Sequence, residues 1–303
     1  MLRIQIVVAN LLMLLGLSDH VTPRKMTLPE AIDFMQPSIV QISALVEEPP
    51  GPLQHPARTN IHPLGSGFLV SVDGYAVTAR HVVQAFESLQ AEGPKTLMVG
   101  LAVPNVEDAE LSIRANFSFT RCEVVDEDVR HDLALLKLKA NPFTDEKVPL
   151  KSPIKAVSYI HRVATLGPPT RPRDGDAIAV SGYPLNQKVL ITTSGHLASS
   201  WSSNSVPAQV PGAPPGVLVP DIADLYVGDM HVNFGNSGGP VYLVEQGKVI
   251  GVCVAYRTAP VTFGDGNQEP ARAEDRPLSF NSGLADIVPV RYVIDLLKKN
   301  NIK

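Results

Sequence analysis

The chain has 303 residues, of which 44% are hydrophobic and 18% are charged, and its formal net charge is −4 at pH 7. This composition supplies enough apolar residues for a substantial core and argues against a wholly disordered chain. The weak negative charge, without basic residues clustered among aromatic ones, gives no case for binding DNA or RNA.

The chain begins with a candidate signal peptide at residues 1–18. Arg3 supplies one positive charge, residues 4–17 are mostly apolar, and residues 16–18 offer the small-x-small pattern of a signal-peptidase site. The apolar run is short for a transmembrane helix. We therefore expect a secreted or periplasmic protein with no stable membrane span. The alternative is a translation start at Met26, which would leave a cytoplasmic protein.

Valine-rich runs separated by Gly, Pro, Asn and Asp predict many short strands. Residues 47–63 hold five prolines and predict a stiff surface loop before a strand that begins at Gly65. The next apolar run ends at His81, and residues 82–86 look helical. A histidine at the end of a strand can act as a base, although a lone histidine is more often a structural, hydrogen-bonded residue.

Asp132 opens the following apolar run, residues 133–138. At the start of a strand we expect its carboxylate to be half-buried, as an imidazole-orienting group should be. The alternative is an ordinary exposed aspartate. The neighbouring His131 could compete as a base, but successive strand residues point to opposite faces, so we expect it to point away from Asp132.

Three irregular segments follow the run that Asp132 opens. Residues 141–176 look like the crossover between two strand-rich halves, residues 206–220 hold five prolines, and residues 257–282 are polar and charged. The last two flank Ser237 in sequence, and long loops in compact domains are commonly functional. We therefore expect them to line the rim of a substrate cleft, with disorder as the alternative.

Ser237 is framed by glycines in the segment GNSGGP, residues 235–240. Glycines allow a sharp turn that exposes the hydroxyl, and they leave the amides of Gly235 and Ser237 free to stabilise an oxyanion. A serine nucleophile needs a base, usually a histidine that a third polar group orients. Taken alone, the segment could equally be a glycine-rich turn.

Chain order separates two families of serine hydrolase. The segment also satisfies the G-x-S-x-G pattern of α/β-hydrolases, but in that fold a histidine follows the serine, and none follows Ser237. The order His81, Asp132, Ser237 is that of trypsin-like peptidases. More narrowly, the chain resembles the bacterial high-temperature-requirement (Deg-type) proteases and their single-domain relatives. The matching segments are residues 65–70, 78–83, 131–138, 180–184, 193–195, 232–241 and 249–252.

The resemblance implies an all-β fold of two six-stranded antiparallel β-barrels with a C-terminal helix. Residues 19–155 would form the barrel that carries His81 and Asp132. Residues 156–303 would form the barrel that carries Ser237, together with a closing helix. That helix is also indicated by the spacing of apolar residues between Pro289 and Lys299. Too few residues follow for a PDZ domain.

The resemblance also implies the roles of the site residues. His81 would be the general base, Asp132 would orient it, and Ser237 would be the nucleophile. The amides of Gly235 and Ser237 would form the oxyanion hole. Asn236 stands where activatable trypsins carry an aspartate, so we expect no activation by a newly cut amino terminus.

We therefore expect a serine endopeptidase that acts on polypeptides without a metal or organic cofactor. The alternatives are a binding module with a resting or degenerate protease site, and an esterase. Trimers are common among Deg-type relatives, but the sequence leaves the oligomeric state open. Cys122 and Cys253 lie in apolar, strand-like stretches, and we expect both to be buried free thiols.

In the trypsin-like fold, the residues shortly before the serine and the strand near residue 254 form the primary specificity pocket. Here these are His231, Val232, Asn233, Val254 and Ala255. No carboxylate is present to fix a lysine or arginine, so we expect a small or medium apolar side chain in the pocket. The alternative is that His231 helps to accept an acidic residue.

Overall fold

The computed structural model describes residues 24–48, 58–91, 93–103, 116–143, 161–187, 189–202, 224–260 and 279–303. Within them the chain forms two closed antiparallel barrels of six strands each. The expected fold class is confirmed. The candidate signal peptide, the expected boundary at residues 155–156 and the segment 206–220 lie outside the described residues.

The two barrels repeat one topology. In the first barrel the strand order is β1-β2-β3-β6-β5-β4, and β1 closes the barrel by pairing with β4. Its strands are β1 Ile39–Glu48, β2 Arg58–Ser71, β3 Tyr75–Ala79, β4 Lys95–Val103, β5 Asn116–Asp128 and β6 Leu133–Leu138. In the second barrel the order is β10-β11-β12-β9-β8-β7. Its strands are β7 Ala177–Gly182, β8 Ile191–Ser202, β9 Asp224–Gly228, β10 Pro240–Leu243, β11 Lys248–Pro260 and β12 Ser279–Pro289.

Two segments expected to be loops are partly strand. Strand β2 begins at Arg58 rather than near Gly65, because it continues the hairpin with β1. Pro63, which has no amide hydrogen, is accommodated at a shift in the register of that pair. Likewise, residues 257–260 and 279–282 belong to β11 and β12, which pair with each other. Cross-strand pairing therefore overrides the local proline and charge content in both places.

In the described part of the chain, three α-helices lie outside the barrels: α1 Leu28–Met35, α2 Arg80–Ser88 and α3 Val290–Lys299. The expected closing helix is thus confirmed as α3, and the helical segment at 82–86 is part of α2. Helix α1 was not expected. It begins at a capping box in which Thr27 and Glu30 exchange hydrogen bonds.

The first and last helices each contact the barrel to which they do not belong in sequence. Just before α1, the Met26 amide donates to the Glu245 carbonyl at 3.0 Å, and Lys25 pairs with the Glu245 carboxylate at 2.7 Å. At the end of α3, Lys299 pairs with Asp126 of the first barrel at 2.7 Å. The two barrels are therefore fastened together by both ends of the described chain.

Two hydrophobic clusters make up the core. One fills the first barrel and continues across the interface to buried residues of α1, α3 and the second barrel, and the other lies within the second barrel. Cys122 and Cys253 are buried in these clusters and unpaired, as expected. Burial raises the pKa of each thiol to about 12, so neither is poised to react. No helix in the described ranges is long and apolar enough to cross a membrane.

Candidate active site

His81 and Asp132 form a closely bonded pair in the first barrel. His81 is the second residue of α2, directly after β3. Its backbone amide donates to Asp132 Oδ1 at 2.8 Å, and its Nδ1 lies 2.6 Å from Asp132 Oδ2. Because a carboxylate only accepts hydrogen bonds, Nδ1 carries the proton and Nε2 of the neutral ring is left as an acceptor. The imidazole is 40% exposed, so a substrate can reach it.

Asp132 lies in the turn before β6 rather than on the strand, and it is 5% exposed rather than half-buried. Its φ of +53° is in the left-handed region, which non-glycine residues seldom adopt. The Arg80 amide donates to the Asp132 carbonyl at 2.9 Å and helps to fix this conformation. Both carboxylate oxygens can then face the start of α2, which explains the depth of burial.

Ser237 lies in the loop between β9 and β10, where it meets the first barrel. The Ser66 amide of β2 donates to the Ser237 carbonyl at 2.9 Å. The next residue, Gly238, has φ +84°, and a Cβ there would lie 2.8 Å from the Ala79 amide nitrogen. Only glycine lets this loop approach so near to the strand end that precedes His81. The structure thus brings Ser237 and His81 to the same junction between the barrels, although no hydrogen bond joins their side chains among the described residues.

The loop before Ser237 has a defined peptide orientation. The Asn236 amide donates to the Asn233 carbonyl at 3.0 Å, closing a turn in which Gly235 has φ +96°. The Phe234 carbonyl accepts from the Leu185 amide at 2.7 Å. Because a trans peptide directs its C=O and N–H oppositely, the Gly235 amide hydrogen points away from Leu185. Within the described part of the chain, neither this amide nor that of Ser237 donates to a protein acceptor.

Ser66 is a site residue that the sequence analysis did not single out. Its hydroxyl donates to the Gly235 carbonyl at 2.5 Å and accepts from the Tyr183 amide at 2.9 Å, and the residue is fully buried. One side chain of the first barrel thus ties together two loops of the second. A serine between two glycines in a strand was the only available signal.

The expected pocket residues before Ser237 lie beside β12. Val232 is 1% exposed, and its carbonyl accepts from Asn281 Nδ2 at 2.6 Å. His231 is exposed, and its ring is 3.2 Å from the position that a Cβ on Gly283 would occupy. Asn281 and Gly283 were not expected at this site. Their strand follows Ser237 in the sequence by more than forty residues, so only the barrel closure brings them here.

The other expected pocket residues are divided between surface and core. Asn233 and Ala255 are exposed. Val254 is 6% exposed and belongs to the hydrophobic cluster that crosses the interface between the barrels, whereas Val232 belongs to the cluster within the second barrel. The side chains of the two valines are therefore not packed in one cluster.

A second recess borders Gly235 on the side of the first barrel. It is a cleft of about 400 Å³. The lining residues are Pro63, Leu64, Gly65, Tyr183, Leu185, Phe234 and Gly235. In the described residues, no three His, Cys, Asp or Glu side chains are grouped so that they could hold a metal ion.

Comparison with known proteins places this geometry in a family. Residues 65–252 match the family model described as a trypsin-like peptidase domain. Serine protease HTRA1 of Xenopus laevis is 26% identical over 234 residues, which cover 77% of this chain and 39% of that protein. A probable periplasmic serine endoprotease DegP-like of Rickettsia prowazekii is 26% identical over 242 residues, covering 78% of this chain and 34% of that protein.

Similarity in structure agrees with similarity in sequence. The solved structure of the HtrA-type protease AlgW with decapeptide has a TM-score of 0.55 and 19% identity, and the match covers 90% of this chain and 66% of that one. At this identity the likeness shows the fold. The chain spans less than two fifths of the length of the curated relatives named above. The family model covers most of the chain, and the chain therefore belongs to the trypsin-like peptidase family, in which its relatives are the HtrA and DegP-like serine proteases.

Proposed function

We propose that this chain is a serine endopeptidase in which Ser237, His81 and Asp132 form the catalytic triad. The observation that carries the proposal is the double hydrogen bond between buried Asp132 and His81. It lies beside a glycine-framed serine, in a loop where the amides of Gly235 and Ser237 donate to no acceptor among the described residues. Membership of the trypsin-like peptidase family supports this reading. The roles of the individual residues and the substrates are part of the proposal.

In the proposed first step, Ser237 Oγ attacks the scissile carbonyl carbon while His81 Nε2 takes the hydroxyl proton. Contacts of this kind are often long without substrate and tighten when it binds. Asp132 keeps the proton on Nδ1, so Nε2 stays free to accept, and it stabilises the imidazolium that forms. A carboxylate that is buried and bonded at both oxygens is suited to this task, because neither the ring nor the carboxylate can turn away.

The tetrahedral oxyanion would be bound by the amides of Gly235 and Ser237. His81 then returns its proton to the leaving amine, which leaves an acyl group on Ser237. Water enters and is activated by His81 in the same way, so that hydrolysis releases the carboxylate product and restores the serine. Each proton in this cycle moves through the one imidazole.

Loss of Ser237 or His81 tests the triad directly. In Ser237→Ala and His81→Ala, turnover should fall on the order of a millionfold, because triad members act as a unit. Peptide hydrolysis and fluorophosphonate labelling of purified proteins measure the effect, with mass spectrometry to identify the labelled residue. The control His196→Ala removes an exposed histidine of β8 and should label like the wild type.

Each other outcome points to a named alternative. Absence of labelling in a folded wild type would contradict the proposal and favour a binding module with a resting or degenerate site. Labelling at Ser237 with hydrolysis of esters but not of peptides would favour an esterase. Labelling that persists in His81→Ala would show that His81 is not the base.

Ser66 offers a test of the oxyanion hole that leaves the triad intact. In Ser66→Ala the Gly235 carbonyl and the Tyr183 amide lose their shared partner. The loop that carries both oxyanion amides then keeps its bond from Leu185 to Phe234 but loses its anchor to the first barrel at Gly235. We expect kcat to fall roughly tenfold to a hundredfold, as for small misplacements of catalytic groups, with little change in KM. Steady-state kinetics with one peptide substrate measures both.

The matched control is Ser71→Ala, which removes another buried serine hydroxyl from β2. Ser71 is the last residue of that strand, and its hydroxyl accepts from the Asp73 amide. This variant should lose a similar amount of stability without the fall in kcat. Equal kinetic losses in the two variants would contradict the role given to Ser66.

For the substrate, we propose a small or medium apolar side chain at the residue that supplies the scissile carbonyl. The five pocket residues expected from the sequence include two valines and an alanine and no carboxylate that could bind a lysine or arginine. The cleft beside Gly235 is lined in part by Leu64, Leu185 and Phe234, and it would take an apolar side chain from the leaving-group half of the substrate.

A cleavage-site profile on a peptide library tests both preferences. We expect apolar residues on both sides of the cut and an unchanged profile in His231→Ala, because the imidazole is exposed and makes no part of an apolar surface. Cleavage mainly after lysine or arginine would contradict the proposal. Cleavage after acidic residues that disappears in His231→Ala would favour the alternative in which His231 binds an acid.

We also propose that the mature protein is secreted or periplasmic and lacks residues 1–18. The composition of that segment and the word periplasmic in the name of the Rickettsia relative support this. Fractionation of the native host and amino-terminal sequencing of the protein should find it outside the cytoplasm with a start near residue 19. A cytoplasmic protein that starts at Met26 would contradict the proposal.

A further inference from the structure

The turn that carries Asp132 is held by the C-terminal helix of the opposite barrel. We call residues 126–132 the aspartate turn. Within it, the ring of His131 stacks on the ring of Tyr292, the third residue of α3, with 3.5 Å between ring centroids and 15° between ring planes. His131 directly precedes Asp132, so the stacked ring is only one peptide bond away from a residue of the proposed triad.

His131 is also fixed from within the aspartate turn. Its Nδ1 lies 2.6 Å from Asp128 Oδ2, and its amide donates to Asp128 Oδ1 at 3.1 Å. The imidazole is only 12% exposed. The partners of its ring are Asp128 and Tyr292, and the residue lies in a turn rather than on the strand that the sequence suggested. The ring is thus clamped between Asp128 on one edge and the face of Tyr292.

Tyr292 is held in turn by the second barrel. Its hydroxyl donates to Asp224 Oδ2 at 2.7 Å, and Arg291 donates to the same oxygen at 2.7 Å. The bonds from Tyr292 and Arg291 keep the pKa of Asp224 below its ordinary value, so the acceptor stays ionised at neutral pH. Asp224 is the first residue of β9, and it therefore anchors the stacked ring to a strand.

The other end of the aspartate turn is bound by the end of the same helix. Lys299 pairs with Asp126 at 2.7 Å, and Asn300 Nδ2 donates to the same carboxylate at 2.8 Å. The C-terminal helix and the residue after it therefore contact the aspartate turn at both ends. One contact is at His131, next to Asp132, and the other is at Asp126, six residues before Asp132. The part of the turn between these anchors has little freedom to relax.

The contacts from α3 matter because Asp132 has a left-handed φ. A non-glycine residue stays in that region only where its surroundings over-determine it. Asp132 is held on one side by α2, through Arg80 and His81, and on the other by the anchored ring of His131. If that ring is released, the backbone can rotate to an unstrained φ, and the carboxylate then leaves its position under the imidazole.

We propose that His131 and Tyr292 are positioning residues, whose stacked rings hold Asp132 in the conformation that orients His81. The inference rests on the proposed function, because the orientation matters to turnover only if His81 is the base. The second barrel would then help to orient the base, His81, as well as carry the nucleophile, Ser237.

Kinetics of stack variants tests the inference. In Tyr292→Ala and in His131→Ala we expect kcat to fall roughly tenfold to a hundredfold, with KM changed less than about twofold, because the carboxylate is displaced and the substrate sites are not. The concentration of active enzyme is taken from the amount of fluorophosphonate that labels each variant at completion, and kcat is calculated with that concentration. Tyr292→Phe keeps the ring and loses only the hydroxyl, with its bonds to Asp224 and from Arg291. Compared with Tyr292→Ala, it should recover most of the lost rate. The matched control is Lys298→Ala, on the same helix, whose side chain is 73% exposed.

A spectroscopic measurement separates positioning from simple stability. The proton shared by His81 Nδ1 and Asp132 should give a low-field ¹H resonance in the wild type and in Lys298→Ala. It should shift or broaden in the two alanine variants of the stack. If those variants melt at lower temperature but keep both kcat and the resonance, the stack is merely structural and the inference is overturned. If the wild type does not cleave peptides, the proposed function fails, while the resonance still decides whether the stack positions Asp132.

Discussion

The burial of the Asp132 carboxylate is the constraint on which the arrangement of the site depends. Removing a charged group from water is strongly unfavourable unless hydrogen bonds replace the lost hydration. Here they come from the backbone and the ring of His81. To accept both, the Asp132 backbone takes a left-handed conformation, and α2 must begin directly after β3. The position of the imidazole is thus set by the way the first barrel satisfies one buried charge.

The second barrel supplies the serine and its loop, which complete the site that His81 and Asp132 begin in the first barrel. Its loop before β10 presents Ser237, and the Ser66 hydroxyl of the first barrel fixes the carbonyl of Gly235 within that loop. In return, α3 of the second barrel stacks Tyr292 on His131, beside the buried carboxylate. The groups that we propose to act on one carbonyl carbon are held by contacts that cross the interface in both directions. A relative shift of the barrels would therefore disturb the proposed base and the oxyanion loop together.

Much of the fold could be predicted from sequence because strand periodicity and turn residues are local signals. The two barrels and α3 were expected, and so was the burial of two free cysteines. Local signals were misleading where cross-strand pairing prevailed, as at Pro63, which lies in β2 despite its missing amide hydrogen. Helix α1 was not expected from sequence, although Thr27 and Glu30 form a capping box at its start.

The sequence alone determined the residue types and their order, with one histidine at a strand end, one aspartate before a strand and one serine among glycines. Those features were enough to choose the trypsin-like order over that of α/β-hydrolases. Only the tertiary structure decided the partners of each group. Ser66 reaches Gly235, Asn281 reaches Val232 and Tyr292 reaches His131 across separations of about fifty residues or more in the chain. Such contacts have no local period, because they arise from the closure and docking of whole barrels.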